Sequence, residues 1–257
     1  MREEVKELSN EELEDDAQIF HMWEPLNFNI TDDYKYIYHN WIFNMISSIL
    51  TLVIYPILYV FNKVFLGFKI ENKEKLREIK GGKVTISNHI HPLDCTMNGI
   101  INFPNRVYFP TLSSNFKIPI VRHLIRILYA IPIPSKVSQK EKFLEEINKA
   151  LKNEKTIHMY PEGALWPYYE KIRKFKNGAF KIAVKADVPI VPILYVLKEP
   201  KGIYKLYKKK KCIHAIILDP IYPNKEIPMW QRAEKMKERA HKNMNEYQSD
   251  IDKIVNN

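Results

Sequence analysis

The sequence predicts an α/β fold, a mixed, largely parallel sheet flanked by helices, with an N-terminal membrane-associating helical segment. Three observations carry that expectation. After Ile70, short apolar runs of β type alternate with amphipathic helical stretches, the pattern of an α/β domain. Before it, Trp41 to Asn62 contains no formal charge, which is long enough for about 20 residues of membrane-buried helix. The 257 residues are 46% apolar and 27% charged, enough for a sizeable core and incompatible with a wholly disordered chain.

The chain divides by charge. Residues 1–36 hold eleven acidic and three basic side chains, a net of −8, so the total of +10 leaves +18 on residues 37–257. Residues 1–40 read as an acidic arm with a solvated helix over Asn10–Phe20, and they lack the basic n-region of a signal peptide. The basic remainder calls for an anionic partner such as lipid headgroups, an acidic carrier protein, nucleic acid or a phosphorylated small molecule. Residues 41–69 form the membrane-associating segment. Trp41, Tyr55 and Tyr59 are interfacial aromatics, Lys63 and Lys69 follow, and Pro56 is expected to kink or break the helix. Asn44, Ser47, Ser48, Thr51 and Pro56 lower its hydrophobicity, so a buried core helix, a hairpin in one leaflet and a single span all remain open; membrane contact is favoured.

Residues 70–257 form the main domain. Strands are expected at Val84–Ser87, Arg106–Phe109, Ala130–Ile133, Thr156–Tyr160, Ile190–Tyr195 and Cys212–Leu218. Ser138 and Glu141 have capping-box spacing, opening a helix that buries Phe143, Leu144, Ile147, Ala150 and Leu151. Further helices are expected over Gly178–Ala186 and in the charged, glycine-free tail Trp230–Ile254. There is no internal repeat. The seven glycines fit neither a dinucleotide fingerprint nor a P-loop, and Cys95 and Cys212 make no disulfide framework, which points to a reducing, cytosol-facing location.

The sharpest chemical signal is Ser87-Asn88-His89-Ile90-His91-Pro92-Leu93-Asp94, directly after a strand, where open α/β sheets place their ligands. A turn entering a helix at Leu93 brings the Asp94 carboxylate to the His89 imidazole. Such a pair is a general base, the carboxylate fixing the tautomer while the far nitrogen takes a proton. The structural alternative is an Asn-His-Pro turn with Asp94 at a helix N-terminus. His91 is the competing base, but it is three residues from Asp94 and precedes a proline.

A second cluster follows: the strand around His158, then Pro161-Glu162-Gly163, Phe175-Lys176-Asn177-Gly178 and Val188-Pro189-Ile190-Val191-Pro192. With Asn88, His89 and Asp94, these blocks resemble the glycerolipid acyltransferase family, which includes the glycerol-3-phosphate and lysophosphatidate acyltransferases. The likeness runs over roughly residues 70–220 in the family's order and makes 70–257 an acyltransferase domain. It implies transfer of a fatty acyl group from acyl-CoA or an acidic acyl carrier protein to a lipid hydroxyl, at the cytoplasmic face of a membrane. No metal, cofactor or nucleic acid is implied. His89 and Asp94 would be catalytic. Asn88, Glu162 and Gly163 would bind or shape the acceptor site, and Lys176 would add positive charge.

Two departures bear on the acceptor. Ala130–Ser135 lacks the arginine common there in the family, and Ala164-Leu165-Trp166 replaces the usual Thr-Arg-Ser after Glu-Gly. Those arginines are associated with the acceptor phosphate, so a lysophospholipid such as 1-acylglycerol-3-phosphate, stacking on Trp166, is expected rather than glycerol-3-phosphate. Arg173, Lys174 and Lys176 are the nearby cations that could compensate. Cys95 reads as an inert buried thiol, His158 as a satisfied core histidine, and Ser87 lacks a nucleophile elbow. Lys208–Lys211 is a solvated face or a contact for anionic lipid or carrier. The rivals are an acyl-thioesterase and a non-catalytic basic module, with Tyr204 and Tyr207 among lysines, that binds membranes or nucleic acid.

Overall fold

The computed structural model describes residues 27–37 and 40–256. The helix expected over Asn10–Phe20 lies outside them. Helix α1 (Trp41–Phe61) extends through a π-helical turn, Asn62–Leu66, and is followed by β1 (Lys69–Glu71) and α2 (Lys73–Glu78). Then come β2 (Lys83–Ser87), α3 (Asp94–Asn102), β3 (Val107–Leu112), a 3-10 turn at Ser113–Lys117, α4 (Val121–Ile127) and β4 (Ala130–Ile133). The chain continues with α5 (Val137–Lys152), β5 (Thr156–Met159), α6 (Gly178–Ala186), β6 (Ile190–Lys198), α7 (Tyr204–Tyr207), β7 (Cys212–Ile217) and α8 (Met229–Asn256).

The seven strands form one sheet in the order β1-β7-β6-β2-β5-β3-β4. From β6 to β4 all neighbours are parallel, whereas β7 runs antiparallel to β6 and β1 runs parallel to β7. The mixed, largely parallel sheet is therefore present, and all six expected strands are in it. β1 has no sequence signal of its own: it is three residues long and carries a charge at each end.

Both faces of the sheet are covered. Val84 and Ile86 of β2, with Ile190 and Leu194 of β6, pack under α5, α6 and α8. The alternate positions of β6, Val191, Ile193 and Tyr195, face α3 with Met97 and Ile101, as a period of two requires. Along α8, Ala233, Met236, Ala240 and Met244 are buried at spacings of three and four, one apolar stripe on an otherwise charged helix.

Two local expectations are corrected. The capping box does not form: α5 begins at Val137 with Lys136 in the cap position and no side-chain cap. Ser138 already lies inside the helix, and Gln139 is used instead to hold the preceding segment, its amide donating to Ile30 O (2.8 Å) and Asp32 Oδ1 (2.9 Å). The Ile37 amide also donates to Glu146 Oε2 at 2.8 Å, and Tyr36 and Ile37 are buried, so the end of the acidic arm is docked on α5. The second concerns Pro56, expected to kink or break the helix: it does not break it, because α1 continues past it to Phe61. One backbone bond is lost, but next to it Tyr55 is buried against α3, its ring occupying the space a side chain on Gly99 would need.

Candidate active site

The loop after β2 is wound around one carboxylate. Asp94 is the first residue of α3 and fully buried, with its charge at the positive end of the helix dipole. Its Oδ2 accepts from the Ile90 amide (2.9 Å), the His91 amide (3.2 Å) and His89 Nδ1 (2.8 Å). The turn-and-cap contacts and the contact to the imidazole, alternatives in the sequence, coexist in this residue. Nδ1 is committed to Asp94, so Nε2 is the His89 nitrogen left for a substrate proton. The His89 side chain is 22% exposed.

His91 is placed differently. Its Nδ1 accepts from the Leu93 amide at 3.1 Å, and only its backbone reaches Asp94. Burial lowers its proton affinity; Asp94 raises it in part, and Lys210 and Lys208 lower it further. A ring in that state lacks the orienting carboxylate that His89 has.

The loop after β5 meets the first one at the same sheet edge. Glu162 is buried; its Oε2 accepts from the His89 amide (3.1 Å) and from Arg173 Nη2 (3.1 Å), and its Oε1 accepts from the Arg173 amide (3.0 Å). The Trp166 amide donates to His89 O at 3.1 Å and that of Tyr168 to Ile90 O at 2.8 Å. The His89 backbone is thus clamped from both sides. Gly163 has φ +83°, and a Cβ there would lie 2.9 Å from Lys176 Nζ, which puts that exposed ammonium directly over the Glu-Gly turn.

Beneath His89 lies Tyr160, its ring stacked at 3.9 Å between centroids and 15° between planes. Its hydroxyl accepts from Asn98 Nδ2 at 3.2 Å, and burial, then Asp94, pushes the phenol well above its usual range. His158 lies edge-on to Tyr160. Its two ring nitrogens meet Thr85 Oγ1 (2.9 Å) and Ser87 Oγ (3.2 Å), and burial, helped by His89, pulls it down to about 3. It is the neutral, satisfied core histidine that the sequence indicated.

The described chain between 67 and 196 matches the family model described as acyltransferase. The chain belongs to the acyltransferase family. It is 26% identical over 163 residues to the chloroplastic 1-acyl-sn-glycerol-3-phosphate acyltransferase LPAT1 of Arabidopsis thaliana, a match covering 63% of this chain and 42% of that protein. The chain thus spans less than half of that curated relative. The crystal structure of the 1-acyl-sn-glycerophosphate (LPA) acyltransferase PlsC from Thermotoga maritima has a similar fold, with a TM-score of 0.50 and 24% identity over 70% of this chain and 71% of that one.

In this acyltransferase, three residues assigned from the sequence to substrate are occupied otherwise. Asn88 Nδ2 donates to Tyr195 O (2.9 Å) and its Oδ1 accepts from the Tyr195 amide (2.8 Å), which ties the loop to β6. Arg173 is buried, paired with Glu162, bonded to Ala164 O and stacked on Trp166 at 4.5 Å. Trp166 is buried beneath it and offers no open face for an acceptor to stack on. Cys95 is exposed, not buried, although desolvation by the surrounding protein and then the Asp94 carboxylate push its thiol up to about 11. Tyr160 and Asn98 had no role in the sequence reading. The available signal was an aromatic closing a strand immediately before Pro-Glu-Gly.

Two tests follow from these contacts. Arg173→Met leaves the Glu162 carboxylate buried and unpaired, which should cost about 3–5 kcal/mol in urea unfolding. An unchanged unfolding midpoint with a raised acceptor KM would return Arg173 to substrate binding. His158 titrates near its ordinary 6.5 when unfolded and about 3 when folded, so between those values the unfolded chain binds more protons. Its contribution to stability is full above pH 6.5 and is lost as pH falls toward 3. In His158→Gln the slope of unfolding free energy against pH over that window should flatten by up to ~1.4 kcal/mol per pH unit.

Proposed function

We propose that this acyltransferase moves a fatty acyl group from an acyl thioester, on coenzyme A or acyl carrier protein, to the free hydroxyl of a lysophospholipid such as 1-acylglycerol-3-phosphate, as a step of phospholipid biosynthesis. The observation that carries the reading is the 2.8 Å bond from His89 Nδ1 to the buried Asp94 carboxylate, which leaves Nε2 for the acceptor. His89 Nε2 takes the hydroxyl proton as the oxygen adds to the thioester carbonyl. The tetrahedral oxyanion collapses and expels the thiolate, and the imidazolium returns the proton to that sulfur. One ester bond forms, one thioester bond breaks, and no acyl-enzyme is required. Asp94 stabilises the imidazolium meanwhile, and Tyr160 stacks under the ring to hold its plane.

Asn88, Glu162 and Arg173 serve this reaction by positioning the loop. Gly163 leaves room for Lys176 to lie over the turn, and that ammonium is a cation for a phosphate of acceptor or donor. The enzyme works on the cytoplasmic face of the membrane, and α1 supports a helix lying in one leaflet. Its buried side is the polar one, Ser47, Thr51 and Asn62, whereas Met45, Ile49, Leu52, Val53, Ile57 and Val60 are exposed. Ser47 donates to Ile127 O, Asn44 accepts from Arg106 (2.9 Å) and Asn62 donates to Thr96 (3.1 Å). A helix fastened to the domain at both ends cannot cross the bilayer without drawing those polar groups in after it.

In an assay with labelled acyl thioester, His89→Ala should lower transfer by roughly 10²–10⁴-fold with its fold intact, and Asp94→Asn by a comparable factor, while His91→Ala does far less. Retention of most of the rate at saturating acceptor by His89→Ala would overturn the mechanism. Release of free acid with every hydroxyl lipid would mark a thioesterase instead.

The acceptor preference follows from the spent arginine. Glycerol-3-phosphate relies on its phosphate for binding, and each missing charge-assisted hydrogen bond costs about 1.5–3 kcal/mol, or roughly ten- to a hundredfold. With Arg173 tied to Glu162, the cation over Gly163 is a lysine, Lys176, so a lysophospholipid with its acyl chain should have the higher specificity constant. Competition between the two acceptors decides it; a win for glycerol-3-phosphate would refute the preference and make Lys176 the residue to replace.

A further inference from the structure

The connection between β6 and β7, residues 199–211, is the feature of the molecule that the site does not use. It begins where β6 ends, at the sheet edge that carries His89, and contains six lysines against the single acid Glu199. Gly202, with φ +58°, turns the chain into α7. There Ile203 and Leu206 are 69% and 85% exposed, beside the exposed Lys201, Lys205 and Lys209. Two large aliphatic side chains held at a tip in water are unfavourable for a freely soluble surface.

The tip is joined to the apolar helix. Tyr207 Oη donates to Val64 O at 2.7 Å and Lys208 Nζ to Phe65 O at 2.6 Å, satisfying carbonyls that the end of a helix leaves open. Val64 and Phe65 are themselves exposed, so the aliphatic tip continues the outer face of α1. On the other side the segment borders the catalytic loop: Lys210 lies 4.8 Å over the Tyr168 ring, and Tyr168 is edge-on to His91 and bonded to Ile90 O.

We propose that residues 199–211 are a second membrane contact, in which Ile203 and Leu206 enter the acyl region while the surrounding lysines hold anionic headgroups. The inference rests on the membrane-bound acyl-transfer reading above and extends it. Helix α1 alone permits the domain to roll about the helix axis; a second contact beside Tyr168 removes that freedom and seats the His89 loop at the headgroup plane. Exposed aliphatic side chains among the lysines, continuous with α1, favour a lipid surface over an acidic carrier protein, which charge alone would recruit.

Hydrogen exchange on the full chain tests the contact directly, in solution and on phosphatidylcholine vesicles with or without phosphatidylglycerol. Exchange over 203–210 should slow on the anionic vesicles, together with residues 41–65. Protection of 41–65 alone would overturn the second contact and leave the anchor standing; protection of neither would overturn both. The double variants Ile203→Ser/Leu206→Ser and Lys205→Gln/Lys209→Gln should each lower acylation of a vesicle-embedded acceptor by roughly tenfold. Their rates with a water-soluble short-chain thioester and acceptor should be unchanged. Unaltered vesicle rates would refute the proposal, as would a defect that appears only as a raised KM for an acyl carrier donor. If no acyl transfer occurs under any condition, the proposed function fails, and the exchange pattern still decides the contact.

Discussion

A single buried carboxylate organises the site. Asp94 carries a charge into a fully buried place, and the fold compensates with three donors on one oxygen and the helix N-terminus beneath it. Two of those donors are backbone amides, so the carboxylate sets the path of residues 90 and 91 before it does anything to an imidazole. The orientation of His89 is then a consequence of loop geometry rather than of a flexible pair finding each other. The same organisation explains why the five-residue spacing matters: one residue fewer would take either the helix start or the imidazole out of reach.

The second loop repeats this logic with a full ion pair. Glu162 spends its oxygens on the His89 amide and on Arg173, and Arg173 in turn covers Trp166. A buried pair of this kind contributes little net stability, but it fixes a geometry strongly because losing either partner strands the other. The backbone of His89 is therefore held by Glu162 and by the Trp166 amide, its ring by Asp94 and Tyr160. These groups come from three separate stretches of chain, 89–94, 160–166 and 173, which only the parallel sheet brings together.

Much of this was legible in the sequence, and the exceptions have physical causes. Short apolar runs located six strands, because burial on both faces makes a strand almost continuously apolar. The three-residue β1, with one apolar residue between two charges, has no such run, and the capping box at Ser138 failed because a register shift of two residues put that serine inside the helix. His89 and Asp94 were readable because local spacing determines their contact. The roles of Asn88, Trp166 and Arg173 were not, since each depends on a partner in another segment: Tyr195, the Arg173 guanidinium and Glu162. A charged or polar residue beside a motif reads as a substrate ligand until the fold shows what already occupies it.

The topology also decides what the site can face. Because β2 and β5 are parallel, their loops open at one edge; because β7 is antiparallel to β6, the lysine-rich connection between them turns at that same edge. β1 runs parallel to β7, so the end of α1 that feeds it arrives there too. An ordinary βαβ crossover after β6 would instead have carried the lysines to a helix on the sheet's face and left the edge to the loops of His89 and Glu162. One antiparallel step in an otherwise parallel sheet thus gathers the His89–Asp94 pair, the end of an apolar helix and the most basic stretch of the chain. For a reaction whose proposed acceptor has its headgroup in water and its acyl chain in the bilayer, that convergence is the geometric requirement: the proton acceptor must sit at the depth of the hydroxyl, and the groups that set depth must share its edge.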